Sequence, residues 1–445
     1  MREGSATQAY LEIKQSGVLS GTVSVSGAKN AALAILPALV MTNGCSRLKN
    51  LPASADVVHM LQLLEELGAS VTFDASAGLA DIDTSTIKRW RVSPELMRKM
   101  RASVFVLGPL LSRFGRAELS MPGGCVIGAR PINYHLENLA RMGVEFDQSG
   151  DVLCAHLVCP CPQRLVLEYP SVGATINLIC AALSISGQTQ IVNAALEPEV
   201  LDLVAVLQKM GAAIQATVPA TIEVVGGREL QPVEHRVMPD RLEVGVLLLA
   251  AAMSGGSIKL PDAPAYSLDL FLRKLEDMGH LITRGNDGMG VTLQATKVPR
   301  AVSFTTRPYP GFPTDLQAPM MAAQCIADGT CAVEETVFEN RLVHVRELQK
   351  MGAQITCKGS KAIVTGVEEL YGANVIASDI RASSALVLAA LVARGRTSMT
   401  GIHHWRRGYD GLEGKLCQLG AQIVLTESVL SSVAEDARPQ SERSY

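Results

Sequence analysis

A thiol and a guanidinium lie close together in the segment from Pro122 to His135, as Cys125 and Arg130. Three glycines and two prolines interrupt any hydrophobic periodicity there, which is typical of a loop. A lone cysteine is more often an inert core residue, but thiol chemistry needs solvent access and an electropositive neighbour, and this segment offers both. Cys125 is therefore a candidate for acid–base or nucleophilic chemistry.

Charged and small residues also gather where six apolar helices are predicted to begin. These starts are Ser26 to Asn30, Met100 to Ser103, Ser171 to Thr175, Asp240 to Gly245, Pro313 to Asp315, and Ile380 to Ser383. Free backbone amides and the positive end of the helix dipole make such turns suitable for anions. If the helix starts converge on one cleft, we expect that cleft to bind anionic ligands.

Arg101 and Arg381 occupy matching places in two of these starts, each followed by alanine and a serine that could cap the helix. Structural ion pairs between helices are the alternative interpretation of the two arginines. Lys29 lies in another helix start, where a flexible ammonium can meet phosphate as a point charge.

Two other clusters have competing interpretations. The spacing of Cys154, His156, Cys159 and Cys161 matches no standard zinc finger, and the alternation around them favours strand residues over a metal site. The basic segment from His403 to Tyr409 could be a nucleic-acid patch, but one short cluster without a basic face favours anion capture by Arg407.

Two glycine markers repeat along the chain and indicate the elements that hold these residues. The first ends an amphipathic helix before a strand, at Gly68, Gly143, Gly211, Gly279, Gly352 and Gly420. The second follows an apolar helix, near Gly44, Gly115, Gly187, Gly256, Gly329 and Gly395. A glycine after the last helical residue supplies the left-handed conformation that ends a helix, so each marker predicts helix, turn and strand.

The repeats predict an α/β fold of six units. Helices that are apolar all round must be buried, so we expect two inside-out α/β barrel globules, each of three repeats with buried helices surrounded by small sheets. We expect a first lobe at residues 29–237, carrying the Cys125 loop, and a second lobe at residues 1–28 and 238–445, with the active site in the cleft between them.

Composition bounds the function. The chain has 445 residues, more than one domain usually holds, and its 40 basic and 43 acidic residues give a net charge of -3. That balance argues against binding nucleic acid or anionic membranes by bulk electrostatics. The apolar runs are too short to cross a bilayer and the first residues lack the apolar core of a secretory signal, so we expect a cytoplasmic protein whose ten cysteines are free thiols.

The sequence resembles the UDP-N-acetylglucosamine 1-carboxyvinyltransferases, a family of enolpyruvyl transferases, over essentially its whole length. The fragments that carry the resemblance follow in order: SGAKNAALAILPALV, MRASVFVLGPLLSRFG, PGGCVIGARP, SVGATINL, NAALEPEV, MPDRLEVG, FPTDLQ, VFENR, DIRASSALVL and RRGYDGLEGKL. The family's fold has two inside-out globules of three repeats, which agrees with the repeats found here.

This resemblance implies the first committed step of peptidoglycan synthesis, in which the 3-hydroxyl of the sugar attacks C2 of phosphoenolpyruvate, C3 is protonated, and a tetrahedral intermediate loses phosphate. Cys125 then matches the proton donor, which the inhibitor fosfomycin alkylates, and Asp315 matches the carboxylate commonly given the base role. Lys29, Arg130 and Arg407 match residues around the phosphoenolpyruvate anions, with Arg341 and Arg381 nearby. The residues that match nucleotide-sugar contacts are Asn30, Arg101, Arg130, Pro131, Ile132, Asn133, Tyr134, Ser171, Val172, Gly173, Asp315 and Val337. No metal or other cofactor is implied, and the partners are the two small-molecule substrates, without nucleic acid or membrane insertion.

The match has departures. Tyr169 and Pro170 stand where the family often has a lysine, Leu196 replaces a usual arginine, and Ala55 stands where a lysine is common. Fewer positive charges are therefore expected near the nucleotide. Rival functions are enolpyruvyl transfer to another nucleotide or to shikimate 3-phosphate, and a non-catalytic nucleotide-sugar-binding regulator.

Overall fold

A computed structural model of the protein describes residues 7–120 and 132–429. Within these ranges the strands are β1 (Thr7–Lys14), β2 (Ser20–Thr22), β3 (Cys45–Lys49), β4 (Ser70–Asp74), β5 (Leu79–Asp83), β6 (Arg116–Ser120), β7 (Val144–Ser149), β8 (Val152–Leu157), β9 (Arg164–Val166), β10 (Gly187–Val192), β11 (Ala213–Thr217), β12 (Thr221–Gly226), β13 (Glu234–Arg236), β14 (Ser257–Pro264), β15 (Leu281–Arg284), β16 (Met289–Gln294), β17 (Phe304–Thr305), β18 (Thr330–Glu334), β19 (Gln354–Lys358), β20 (Lys361–Thr365), β21 (Asn374–Ile376), β22 (Arg396–Thr400) and β23 (Gln422–Val429).

The α-helices in the same ranges are α1 (Lys29–Ala38), α2 (Ala55–Leu67), α3 (Pro94–Lys99), α4 (Leu107–Phe114), α5 (Asn133–Arg141), α6 (Val172–Ala182), α7 (Pro198–Lys209), α8 (Arg241–Ser254), α9 (Asp269–Asp277), α10 (Gln317–Gln324), α11 (Val345–Lys350), α12 (Ile380–Val392), α13 (Ile402–Gly408) and α14 (Leu412–Gln418). Two 3-10 turns, Arg101–Val106 and Thr314–Leu316, lead directly into α4 and α10. None of the helices within the described ranges has the length and apolar character that a bilayer crossing requires.

The strands form six small sheets that share one plan, which confirms the predicted repeat. Five sheets have four strands, with a short parallel edge strand followed by antiparallel pairs, in the orders β13-β3-β5-β4, β9-β10-β12-β11, β2-β14-β16-β15, β17-β18-β20-β19 and β21-β22-β1-β23. The sixth sheet has three strands, β6-β8-β7, and a parallel bridge between Arg91 and Glu118 takes the place of its edge strand.

Two separate apolar cores lie inside these sheets. One core is built from residues between Ala28 and Met238, and it contains the buried faces of α1, α4 and α6. The other is built from Leu11 to Val25 together with residues between Leu242 and Ile423, and α8, α10 and α12 contact one another within it. We name the two halves, each defined by its core, the first and the second lobe. Helices inside and sheets outside are the inside-out architecture that the all-apolar helices predicted.

The chain passes between the two cores at two adjacent segments. Gly27 and Pro239 form an antiparallel bridge, and the Ala28 amide donates a hydrogen bond of 2.7 Å to the Met238 carbonyl. A Cβ atom on Gly27 would lie 1.7 Å from the carbonyl oxygen of Asn50, so only glycine fits here. The predicted lobe boundaries fall at this double crossing, and we retain them as a proposal.

The helix ends follow the first glycine marker, whereas the second marker predicts them only in part. Gly115 directly follows α4, but α1, α6, α10 and α12 end several residues before their marker glycines and have no glycine at the C-cap. The glycines of the first marker that lie in described positions have positive φ, for example 111° at Gly68 and 110° at Gly420. After α8 the left-handed residue is Gly255, whereas Gly256 must be glycine because a side chain there would collide with the backbone of Leu19.

The serine caps predicted at the two arginine-bearing starts are wrong. Ser103 donates its hydroxyl to the carbonyls of Met97 and Met100, and Ser383 donates to the carbonyl of Ile380. Asp379 caps α12 instead, accepting from the Arg381 and Ala382 amides.

Candidate active site

Asp315 is held by two arginines of the second lobe. It lies in the 3-10 turn before α10, Arg341 follows β18, and Arg381 is the second residue of α12. Each guanidinium donates a hydrogen bond of 2.7 Å, Arg341 to Oδ1 and Arg381 to Oδ2 of the carboxylate. Both arginines are buried, at 3% and 5% exposed, whereas a quarter of the Asp315 side chain remains accessible.

The electrostatics of this group follow from its geometry. Burial alone would raise the pKa of Asp315, but Arg381 and Arg341 outweigh it and hold the pKa well below the usual range of a carboxyl. Asp315 is therefore ionised at neutral pH. Together the two guanidiniums and the carboxylate carry one net positive charge. Arg381 also donates a hydrogen bond of 3.0 Å to the Tyr409 hydroxyl.

A second carboxylate, Asp56, joins cations from both lobes. Lys29, the first residue of α1, donates to Oδ2 of Asp56 at 3.3 Å, and Nε of Arg407 in α13 donates to Oδ1 at 2.8 Å. Burial raises the pKa of Asp56, but Lys29 and Arg407 together lower it below its ordinary value. A further contact between the lobes lies nearby, where the Ala53 amide donates to Asp410 at 3.1 Å.

The two carboxylate clusters belong to one region. Arg407 is near the end of α13, and Tyr409, which accepts from Arg381, follows it by two residues. Helix α13 contacts α12 of its own lobe and α2 of the first lobe. Lys29, Arg341, Arg381 and Arg407, which sequence analysis placed around one anionic substrate, are thus brought together at the junction of the lobes.

A third group lies at the start of α6 in the first lobe. Ser171 caps this helix, accepting from the Ala174 amide at 3.3 Å, as its position in the predicted helix start suggested. A Cβ atom on Gly173 would lie 3.0 Å from Cε1 and Nε2 of His135, so glycine lets the helix start approach that ring closely.

His135 was absent from the sequence-based site, although it directly follows Tyr134. Asn177 fixes its tautomer: the Asn177 amide oxygen accepts from the Gly108 amide, so its nitrogen donates to Nδ1 of His135 at 2.8 Å. Burial, with the nearby Arg101 charge, lowers the pKa of His135 to about 4. The ring is neutral and carries its proton on Nε2, next to Gly173.

Tyr169 replaces the expected cation just before α6. It is half-buried, and burial together with Glu197, Glu335 and Tyr134 raises its pKa. Tyr169 therefore lies among acidic side chains, Glu197 and Glu335.

Glu335 links two predicted site residues that sequence analysis treated separately. Its carboxylate, on a residue 2% exposed, accepts from the Val337 amide at 2.8 Å and from the Thr314 hydroxyl at 2.9 Å. Val337 and the turn that holds Asp315 are therefore fixed relative to each other. The signal available in the sequence was a glutamate two residues before Val337.

The remaining predicted residues divide into three groups. Cys125, Arg130 and Pro131 lie outside the described residues. Ile132 is 5% exposed and packs with Val104 and Leu153, and its carbonyl accepts from the His135 and Leu136 amides. Asn30, Asn133, Tyr134 and Val172 are partly exposed at the starts of α1, α5 and α6, and Oδ1 of Asn133 has no hydrogen-bond partner in the described part of the chain.

The alternative of a zinc site finds no support in the described ranges. Across residues 7–120 and 132–429, no three or more His, Cys, Asp or Glu side chains are placed to hold a metal ion. Cys154 and His156 lie on the same face of β8, in alternation with the buried Leu153 and Ala155, as the strand interpretation of this segment predicted.

Comparisons with known proteins agree with the fold. The family model described as EPSP synthase (3-phosphoshikimate 1-carboxyvinyltransferase) matches residues 13–416. A UDP-N-acetylglucosamine 1-carboxyvinyltransferase of Geobacter metallireducens is 44% identical over 93% of this chain and 98% of its own length. One of Dichelobacter nodosus is 45% identical over 91% of this chain and 96% of its own length.

Solved structures show the same architecture. The enolpyruvyl transferase NikO from Streptomyces tendae superposes with a TM-score of 0.86 at 25% identity, covering 95% of this chain and all of that chain. An EPSP synthase from Acinetobacter baumannii gives a TM-score of 0.74 at 16% identity over 94% of this chain, which supports the fold alone.

Proposed function

The chain belongs to the EPSP synthase family of enolpyruvyl transferases, and from that premise we propose that it transfers the enolpyruvyl group of phosphoenolpyruvate to the 3-hydroxyl of UDP-N-acetylglucosamine, releasing phosphate. The relatives at 44% and 45% identity carry that activity in their names, which supports this acceptor over another nucleotide or shikimate 3-phosphate. They also favour an enzyme over a non-catalytic regulator. This reaction would supply peptidoglycan synthesis in the cytoplasm.

One observation supports the proposal most strongly. Four cations, Lys29, Arg341, Arg381 and Arg407, surround two carboxylates at the junction of the lobes. Phosphoenolpyruvate brings a carboxylate and a phosphate, and charge-assisted hydrogen bonds to such groups are each worth about 1.5 to 3 kcal/mol. A site of this charge and depth suits a small, multiply charged anion better than a neutral metabolite.

Addition forms the bond between the sugar oxygen and C2, and a proton is delivered to C3. We assign the removal of the 3-hydroxyl proton to Asp315, which is ionised and partly accessible. The delivery to C3 is assigned to Cys125 through the family resemblance. Elimination then breaks the bond between C2 and the phosphate oxygen, and a proton leaves C3 to restore the double bond.

The arginines tune the base. While Arg341 and Arg381 both donate to Asp315, the carboxylate is stabilised as an anion and is a weak base. A substrate anion that draws either guanidinium away raises the pKa of Asp315 and strengthens it as a proton acceptor. Binding of phosphoenolpyruvate therefore prepares the base for the sugar hydroxyl.

The experiment that tests the proposal is phosphate release from phosphoenolpyruvate with three acceptors: UDP-N-acetylglucosamine, UMP and shikimate 3-phosphate. Release only with UDP-N-acetylglucosamine supports the proposal, and preferential release with either other acceptor contradicts it. An Arg407→Ala protein, assayed in parallel, controls for contaminating phosphatase.

A further inference from the structure

Asp56 is a carboxylate in the place where an anionic substrate is expected. It is 4% exposed, and its two oxygens contact one cation each, Lys29 and Arg407. Both cations match residues around the phosphoenolpyruvate anions, whereas Asp56 itself was not among the predicted site residues. The side chain therefore neutralises part of the charge that the substrate would need.

We propose that Asp56 occupies an anion-binding position between Lys29 and Arg407 and is exchanged for the phosphate group of the incoming substrate, so that it sets the affinity for that substrate. Asp56 is in this sense a specificity-determining positioning residue that acts through Lys29 and Arg407. The identity of the substrate rests on the proposed function, but the anion exchange itself does not.

The charges favour such an exchange. Lys29, Arg407 and Asp56 together carry one net positive charge, and Ala55, where relatives often have a lysine, adds none. A phosphate dianion satisfies two cations better than one carboxylate does. The Arg407 side chain is 28% exposed while that of Asp56 is 5% exposed, so an anion can approach the guanidinium without first crossing Asp56.

The released carboxylate has a nearby alternative. Removing the partners of a buried charge is costly, so Asp56 needs other donors once its cations are taken. It lies in the first turn of α2, where backbone amides and the helix dipole stabilise an anion. Ser54, at the N-cap of the same helix, makes no capping hydrogen bond, and its buried hydroxyl has no partner within the described ranges.

Asp410 serves as a matched control for Asp56, because it too is an aspartate at the junction of the lobes. Asp410 also accepts a hydrogen bond across the lobes, from the Ala53 amide, and no described hydrogen bond joins it to Lys29 or Arg407. Neutralising Asp410 therefore weakens a contact between the lobes without freeing either cation.

The test is calorimetric titration of inorganic phosphate into the full chain and its Asp56→Asn, Asp410→Asn and Arg407→Gln variants. We expect phosphate to bind about tenfold more tightly to Asp56→Asn, because the competing carboxylate is removed. A tenfold change in affinity corresponds to about 1.4 kcal/mol. The phosphate affinity of Asp410→Asn should stay within about twofold of that of the unmodified protein. The phosphate affinity of Arg407→Gln should fall at least about tenfold.

Each outcome decides the inference. Unchanged or weaker phosphate binding in Asp56→Asn overturns it, because Asp56 would then be no competitor. If that variant does not fold, unchanged binding in Arg407→Gln overturns it independently. If Asp56→Asn binds phosphate more tightly but the unmodified protein shows no enolpyruvyl transfer, the inference stands and the proposed function is refuted. If transfer is normal but Asp56→Asn does not change phosphate binding, the proposed function stands and the inference is refuted.

Discussion

Arg381 donates a hydrogen bond of 2.7 Å to Oδ2 of Asp315, joining the start of α12 to the turn before α10. Arg381, which we propose as a cation for a substrate anion, is thus also a partner that lowers the pKa of the proposed base.

The pH dependence of turnover should report this pairing. The base must be deprotonated, so activity falls at acidic pH through the pKa of Asp315, which Arg381 and Arg341 lower. Arg381→Gln removes one of these cations, and we expect the acidic limb of kcat/KM to move to higher pH. The shift is measured from full pH profiles of both proteins, and a limb that stays in place or moves to lower pH excludes Asp315 as the titrating base.

Loss of either cation at Asp56 should impair chemistry more than binding. A donor aimed at developing charge typically contributes about 10² to 10³ in rate, so we expect Arg407→Ala and Lys29→Ala to lose that much kcat. The neighbouring Arg406 is exposed and makes a matched control whose alanine variant should stay near normal. Steady-state kinetics of the three variants test this, and near-normal turnover in Arg407→Ala or Lys29→Ala removes that residue from the site.

Tyr169 should limit affinity for the nucleotide sugar. Its surroundings include Glu197 and Glu335, and the family resemblance implies a lysine where Tyr169 and Pro170 stand. Tyr169→Lys restores a positive charge, and we expect the Kd of UDP-N-acetylglucosamine to fall about three- to tenfold, at roughly 1 kcal/mol, with the KM for phosphoenolpyruvate little changed. Calorimetric titration of the nucleotide sugar measures the change. Equal or weaker binding would mean that the new lysine pairs with Glu197 or Glu335 instead.

Fosfomycin should inactivate the protein by alkylating Cys125. The sequence places this thiol between glycines and near Arg130, which favours a reactive thiolate. Peptide mass spectrometry should find the adduct on Cys125, and Cys125→Asp should be resistant. Cys417 is an exposed thiol elsewhere, so Cys417→Ala is the control and should remain sensitive. Full activity after incubation with the drug argues against the role of Cys125.

The repeat and the buried helices could be predicted because each leaves a local signature. The left-handed position that ends a helix favours glycine, and a helix that is apolar on every face is stable only when it is buried. The partners of Asp315 and Asp56 leave no such signature. Asp56 and Arg407 are 351 positions apart and meet only when the two lobes associate.

The serine caps failed for a related reason. Ser103 and Ser383 lie inside the first turn, and their hydroxyls donate back to carbonyls of that turn. Position relative to the true helix start decides between capping and back-bonding. That start depends on packing, which the local sequence does not specify.

Product analysis in deuterated water tests the central claim most directly. Phosphoenolpyruvate and UDP-N-acetylglucosamine are incubated with the protein, and the product is examined by mass spectrometry and proton NMR. We predict one phosphate released per enolpyruvyl ether formed at the 3-hydroxyl, with deuterium in its vinyl group, because addition turns C3 into a methyl group that takes a proton from the protein. An unmodified nucleotide sugar, or an enolpyruvyl product whose vinyl group carries no deuterium, would contradict the account.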